Sequence, residues 1–404
     1  MIKLSPFRFI LFFSAILCLP TSFAQAQEGE AVALTERLNA IQANYTPDLR
    51  LELFEVSLDS DACEAEVSTT SSSARDAILA VQNEFPTWRI KVSLYPEENE
   101  ELDGKWRGLV NFSSIQLQKG PDFAAEWGTQ AVMGSPVRII KRSSNGWLLI
   151  QTFDGYLGYT PSGSIHAMSK EEYVGWLESK RLVTLDNYGF IYSKPSFESG
   201  TISDLTIGCV LVWKDSEVQN GFYHVETPDG RPGWLPTSNG MEWRAWLDSR
   251  ELTADNLIST ARRFLGSPYV WGGTTSKGVD CSGLVSLSFR VNGYTILRDV
   301  SQIRREGIEV DITKGYGNIQ PGDLLIFGKK QANGSTSWHH VAIYIGEGRF
   351  IHSATSVHES SLDPSSPIYD QSNASKLIKV VRMIGAPSTE HFRSLRENQF
   401  LNAD

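Results

Sequence analysis

The sequence predicts an α+β chain: a small N-terminal α+β region, two small β-barrels, and a C-terminal domain whose helices precede an antiparallel sheet. Three observations carry this. A pattern of short strands and Asp-Gly turns occurs twice at a constant offset of 75 residues, as between Asp154 and Asp229. From about residue 251 the pattern changes to helical periodicity followed by several β-rich runs. At that change, Asp280-Cys281-Ser282-Gly283-Leu284 places a cysteine where a glycine-rich loop becomes an apolar helix.

Residues 1–26 read as a leader. Lys3 and Arg8 form a basic start, Phe9 to Leu19 an apolar run, and Ala24-Gln25-Ala26 a small-residue cleavage site. The chain is therefore expected to be exported, periplasmic or secreted after cleavage near Ala26. Leu17 suits lipid attachment at Cys18 poorly, and no later stretch is apolar enough to span a bilayer. Residues 27–108 form the N-terminal region. It has helical spacing over Leu34 to Ala43, strand alternation over Leu51 to Val56, and a second helix over Ser73 to Gln82.

The barrels are expected at 109–168 and 180–245 and resemble the bacterial SH3-like domain, commonly a binding module. Gly155 and Gly158 recur as Gly230 and Gly233, and Tyr159 recurs as Trp234, which marks them as architectural. Tyr156 becomes Arg231, so the fold does not demand an aromatic there. Tyr156 is thus either a ligand contact or an ordinary turn tyrosine. The third domain, 251–386, opens with a helix from Thr253 to Phe264 and continues through Pro268-Tyr269-Val270-Trp271-Gly272-Gly273 to the cysteine helix, which Gly293 stops. Residues 387–404 read as a loose tail.

The net charge of −10 falls two units further when Lys3 and Arg8 leave with the leader, and there is no basic block. That argues against nucleic acid as a partner. No CxxC or HExxH occurs, so neither metal nor cofactor is expected. Cys63, Cys209 and Cys281 remain after the leader. The odd number suggests one free thiol, with Cys63 and Cys209 either paired or separately free.

A cysteine in the first turn of a helix meets unpaired N–H groups and the positive end of the helix dipole, which favour thiolate. Such a nucleophile needs a base, and the base an orienting group. Of seven histidines, His166, His224, His358 and His391 stand alone and read as surface or structural residues. His340 begins the strand His-Val-Ala-Ile-Tyr-Ile, and His352 ends the next strand. Pairing these strands through Gly346-Glu347-Gly348 makes the two histidines neighbours. Alternation turns His340 to the face of Ala342 and Tyr344 and His339 away.

Asp280-Cys281-Ser282-Gly283-Leu284, Gln320-Pro321-Gly322-Asp323-Leu324, His340 to Gly346 and Ile351-His352-Ser353-Ala354 resemble the successive motifs of the NlpC/p60 family of papain-like cysteine peptidases. The resemblance covers about 255–385. With the two barrels in front, the layout resembles the γ-D-glutamyl-L-diamino acid endopeptidases of the dipeptidyl-peptidase VI type, which process murein stem peptides. It implies Cys281 as nucleophile, His340 as base and His352 as third member, with Tyr269 near the oxyanion. It also implies that Glu126, Tyr156, Asp280 and Ser282 read a free L-Ala amine, with Trp271 and Ser301 lining the pocket. The expected partner is a murein peptide, L-Ala-γ-D-Glu-diamino acid, and a monomer is expected. Tyr159, where many relatives have Trp, and Val300 beside Ser301 depart from the pattern. Two other readings remain at this point: the same chemistry on intact, glycan-attached wall, and a non-catalytic wall-binding protein.

Overall fold

The computed structural model describes residues 21–401, so most of the expected leader, including Cys18, lies outside the described residues. The chain divides into two compact units, one of residues up to Pro47 with Leu53–Leu94, the other of Asp48–Glu52 with residues from Tyr95 onward.

In the first unit the helix Thr21–Tyr45 extends well beyond the Leu34–Ala43 core that the periodicity picks out. The helix Ser72–Val81 is capped by the Ser71 side chain, which accepts from the Ala74 N–H. Strands Phe54–Asp59 and Glu64–Thr69 pair antiparallel, and Arg89–Leu94 joins the second in parallel. Leu34, Leu38, Ile41, Val67, Ile78 and Trp88 form the core. The alternation at Leu51 is not a strand: pairing starts at Phe54, and residues 48–52 belong to the other unit.

In the second unit the two barrels share one strand order. In the first it runs Ile165–Met168, Arg107–Val110, Pro136–Arg142, Trp147–Thr152, Leu157–Pro161, Ile115–Gln118, Trp127–Ala131. Shifted by the repeat offset, the same sequence of neighbours appears in the second, from Gly240–Glu242 to Thr201–Thr206. Gly158 packs so closely on Leu117 that a Cβ would lie 2.7 Å from that side chain, and Gly233 does the same at 2.4 Å from Ile191. These repeated glycines are packing requirements of the barrel.

The third domain follows the expected order. The helix Ala254–Arg262 is capped by Thr253, and Cys281–Val291 by Asp280. A six-stranded antiparallel sheet then runs Ile308–Glu309, Leu377–Arg382, Leu324–Lys330, Thr336–Gly346, Arg349–Ser353, Val357–Ser361. Leu284, Val285 and Leu287 of the cysteine helix share one core with Val341, Ile343 and Ile351 of the sheet. Val300 is buried in this core and turns away from Ser301, so the departure from the family pattern is absorbed by packing.

One expectation is corrected and one open alternative is resolved. The residues after 387 are not loose: Arg393–Ser394 pairs with Tyr294–Thr295, and Phe392, Leu395 and Leu401 are buried in two different cores. The apolar spacing of Phe392, Leu395, Phe400 and Leu401 was the available signal. Cys63 and Cys209 are both free, Cys209 fully buried among Leu182, Leu205 and Leu211 of the second barrel. Phe392→Ala should cost about 3–5 kcal/mol in urea unfolding. A loss within about 0.5 kcal/mol, the range of a surface change, would contradict the docked C-terminal segment.

Candidate active site

The cysteine is positioned by a carboxylate and two glycines. Asp280 Oδ1 accepts from the Gly283 N–H at 2.7 Å, which caps the helix, and Oδ2 accepts from the Gly272 N–H at 2.9 Å, which folds the preceding loop onto it. Gly272 has φ +74, and a Cβ there would lie 2.8 Å from that of Trp127. Gly283 lies against the Gly273 carbonyl, where a Cβ would sit 1.8 Å from the oxygen. The helix can approach the loop only because Gly283 lacks a side chain, and the loop can approach the first barrel only because Gly272 does.

Arg298, 2% exposed, locks this arrangement. Its Nη2 and Nη1 donate to Asp280 Oδ2 and Oδ1 at 2.6 and 3.1 Å, Nη1 also to Ser282 Oγ at 2.7 Å, and Nε to Thr129 Oγ1 of the first barrel at 3.1 Å. Ser282 Oγ donates to Asp280 Oδ1 at 3.3 Å. The Asp280 oxygens thus face donors from Gly272, Gly283, Ser282 and Arg298, which together fill a carboxylate's acceptor sites. Asp280 thereby organises the site, tying the helix start, the glycine loop and Arg298 together.

Cys281 is 7% exposed. Burial pushes its thiol up to about 11 and the Asp280 charge adds to this, against the Val341 N–H, which hydrogen-bonds the sulfur, and Arg298. Enclosure thus works against the helix-dipole contribution toward thiolate. A dipole contribution of roughly 0.3–1 kcal/mol amounts to less than one pKa unit, and desolvation outweighs it.

His340 Nε2 lies 2.7 Å from His352 Nδ1, and the two rings meet edge to face. The hairpin forms as expected, with Ile343 opposite Ile351 and Tyr344 opposite Phe350. His340 rests against Phe327, in the apolar cluster that also holds Ala342, Tyr344 and Phe350, whereas His339 is exposed. Burial lowers His340 to about 4 and His352 to about 3. Both are neutral near pH 7. Tyr269 is pushed up to about 12 by burial and then by the Cys281 and Asp280 charges.

The first barrel forms the other wall. Trp271, 59% exposed, donates from Nε1 to Glu126 Oε1 at 2.9 Å, and Lys119 Nζ lies 2.8 Å from Glu126 Oε2. The Lys119 hydrogen bond holds the Glu126 carboxyl below its ordinary range. Tyr156 is only 3% exposed; Gly128 makes room for it, since a Cβ there would meet its ring at 2.8 Å. Burial, then the charge of Asp299, raises its hydroxyl, with Arg298 and Arg50 acting oppositely. Ser301 Oγ accepts from Arg50 Nη1 at 2.9 Å.

Four groups escaped the sequence reading. Arg298 has no local pattern that singles it out. Arg50, which also reaches Asp299 at 2.8 Å, comes from the short segment 48–52, far from the catalytic motifs in sequence. Asp48 of the same segment accepts from Gln302 at 2.9 Å. His358, set aside as solitary, lies directly beside His352. The run Val357-His358-Glu359-Ser360-Ser361 holds a single β-branched residue and gives little sign of a strand.

Residues 266–380 match the NlpC/P60 family, and residues 117–165 match the bacterial dipeptidyl-peptidase Sh3 domain. Among curated proteins, the chain is 30% identical over 240 residues to a gamma-D-glutamyl-L-lysine dipeptidyl-peptidase of Bacillus cereus, covering 56% of this chain and 66% of that protein. It is 28% identical over 289 residues to dipeptidyl-peptidase 6 of Lysinibacillus sphaericus, covering 67% of this chain and 97% of that one. A crystal structure of an NlpC/P60 family protein from Bacillus cereus shares the fold, with TM-score 0.57 and 24% identity over 68% of this chain and 99% of that one. The buried cysteine heads a helix that shares a core with Val341, the residue after His340, and His340 is bonded to His352; the chain is a cysteine peptidase carrying an NlpC/P60 domain behind a bacterial dipeptidyl-peptidase SH3 domain.

Proposed function

We propose that the protein is an exported γ-D-glutamyl–L-diamino acid peptidase that cuts short murein peptides beginning with a free L-Ala, in cell-wall peptide turnover. The observation that carries this reading is the wall built by the first barrel, where Glu126 meets Trp271 of the glycine loop beside Cys281. The names of two relatives support it: a gamma-D-glutamyl-L-lysine dipeptidyl-peptidase of Bacillus cereus and dipeptidyl-peptidase 6 of Lysinibacillus sphaericus. Export rests on the leader in the sequence.

Cys281 acts as nucleophile and His340 as base. At neutral pH they rest as thiol and neutral imidazole, so the proton passes to His340 as the sulfur attacks the γ-carbonyl carbon. The Cys281 backbone N–H and the Tyr269 hydroxyl, which keeps its proton at neutral pH, donate to the oxyanion. His340 then protonates the departing amine of the diamino acid as the C–N bond breaks. Water hydrolyses the thioester with the same base, releasing L-Ala-γ-D-Glu and the thiol. His352 orients His340 throughout.

The substrate ammonium loses hydration on entry and needs oxygen acceptors in return. Glu126 supplies the charge, and Tyr156, Ser282 and Ser301 supply hydroxyls. Asp280 takes part through Ser282 and Arg298, without direct contact. Glycan-linked stems, whose L-Ala nitrogen is an amide, would bring no charge to this site.

Cys281→Ala is expected to abolish release of L-Ala-γ-D-Glu from L-Ala-γ-D-Glu-diamino acid, followed by mass spectrometry; retained release by the pure variant would sink the nucleophile assignment. Acetylating the L-Ala amine should stop turnover by the wild-type enzyme. Undiminished turnover would move the substrate to intact wall. The histidines also give stability a pH dependence. Both are lowered from 6.5, so between pH 6.5 and about 4 the unfolded chain takes up protons that the folded pair refuses, and stability falls on acidification. Thermal melts of His352→Asn should show a shallower loss over that window than wild type; an identical slope would mean that the pair is not held neutral.

A further inference from the structure

We propose that His358 is a positioning residue that sets the tautomer of His340, through three imidazoles anchored on the Ser356 carbonyl. The proposal rests on the reading of His340 as base but not on the identity of the peptide. Strand register places His358 directly opposite His352. His340 Nε2 is 2.7 Å from His352 Nδ1, His352 Nε2 is 3.1 Å from His358 Nε2, and His358 Nδ1 is 2.8 Å from the Ser356 oxygen.

A carbonyl oxygen only accepts, so the Ser356 contact requires the proton on His358 Nδ1. In the neutral ring, His358 Nε2 then presents a lone pair. His352 must donate to it from Nε2, which leaves His352 Nδ1 bare. That nitrogen in turn accepts from His340 Nε2–H. The proton of His340 is thereby held at Nε2, and Nδ1 is the one ring nitrogen able to take the Cys281 proton. Ser360 Oγ, also 3.1 Å from His352 Nε2, can donate or accept and so does not choose a direction. The carbonyl does.

The charged and titratable groups acting on this run are His339, Asp370, His358 and Asp280 at His340, with His340, His358 and Asp370 at His352. Burial keeps His340 and His352 neutral near pH 7, the condition under which one tautomer is selected. If His358 instead donated from Nε2, every bond in the run would reverse. His340 would then carry its proton on Nδ1 and could not act as base.

The test is ¹⁵N NMR of imidazole-labelled enzyme together with the rate of Cys281 alkylation by iodoacetamide, which needs no peptide. In the wild-type protein the His340 proton is expected on Nε2; a proton on Nδ1 would overturn the proposal without any variant. In His358→Ala the two tautomers of His340 should mix, and alkylation and kcat should fall by about 10–100-fold, the usual effect of losing such an outer partner, with KM unchanged. His358→Gln, whose side-chain carbonyl can accept from His352, should recover most of the rate. Alkylation of His358→Ala within about twofold of wild type, or no recovery in His358→Gln, would overturn it. If alkylation responds as expected while no murein peptide is cleaved, the substrate reading fails and the relay stands.

Discussion

The site depends on one buried ion pair, Asp280 with Arg298. The carboxylate caps the cysteine helix through Gly283, pulls in the glycine loop through Gly272, and receives a two-pronged guanidinium that also reaches Thr129 of the first barrel. Four pieces of chain are thus registered on two oxygen atoms. A buried pair of this kind adds little net stability over an apolar replacement, because both charges lose their water. Its value is geometric. The planar fork matches the carboxylate in one orientation only, so the nucleophile, the loop and the barrel wall are set together.

The same burial decides the chemistry. A cysteine at a helix start in water would lean toward thiolate, but here the sulfur is enclosed and shares its site with a carboxylate. The imidazoles are enclosed too, so they lose their affinity for a proton. Both members of the pair are driven to their neutral forms. In the proposed mechanism the charge-separated state is made during attack, with the oxyanion donors and the bonded histidines to receive it. Neutral imidazoles have a further property that charged ones lack: each has a donor end and an acceptor end, so a row of them carries a direction.

The two barrels are the same fold put to different uses. Their strand orders coincide and their paired glycines meet the same steric limits. The first offers Glu126, Thr129 and Tyr156 to the catalytic domain. At the position of Tyr156 the second has Arg231, which closes on Asp229 and the Ile202 carbonyl of its own barrel. The first barrel also receives residues 48–52, where the Arg50 carbonyl accepts from the Leu157 N–H and the guanidinium crosses to Asp299 and Ser301. A segment that looked like the start of a strand thus ties the first barrel to Asp299 and Ser301 of the catalytic domain.

By itself the sequence determined what depends on near neighbours. The Asp280 cap, the glycine that lets helix and loop touch, the hairpin that joins His340 to His352 and the repeated barrel all follow from spacings of a few residues or from a comparison of two copies. Tyr156 stood out because the repeat did not keep it. Tertiary structure decided the rest. Arg298 lies 18 residues from Asp280 and Arg50 lies 249 from Asp299, and neither residue carries a local pattern that says which carboxylate it will meet. His358 acquired its place from strand register, and the thiol its protonation from enclosure. The residues after 387 lacked a strong period and docked because two cores had room for Phe392, Leu395 and Leu401. Local hydrogen bonding and steric limits are written in short runs of residues. Burial, and the charges it sets face to face, exist only once distant runs have packed.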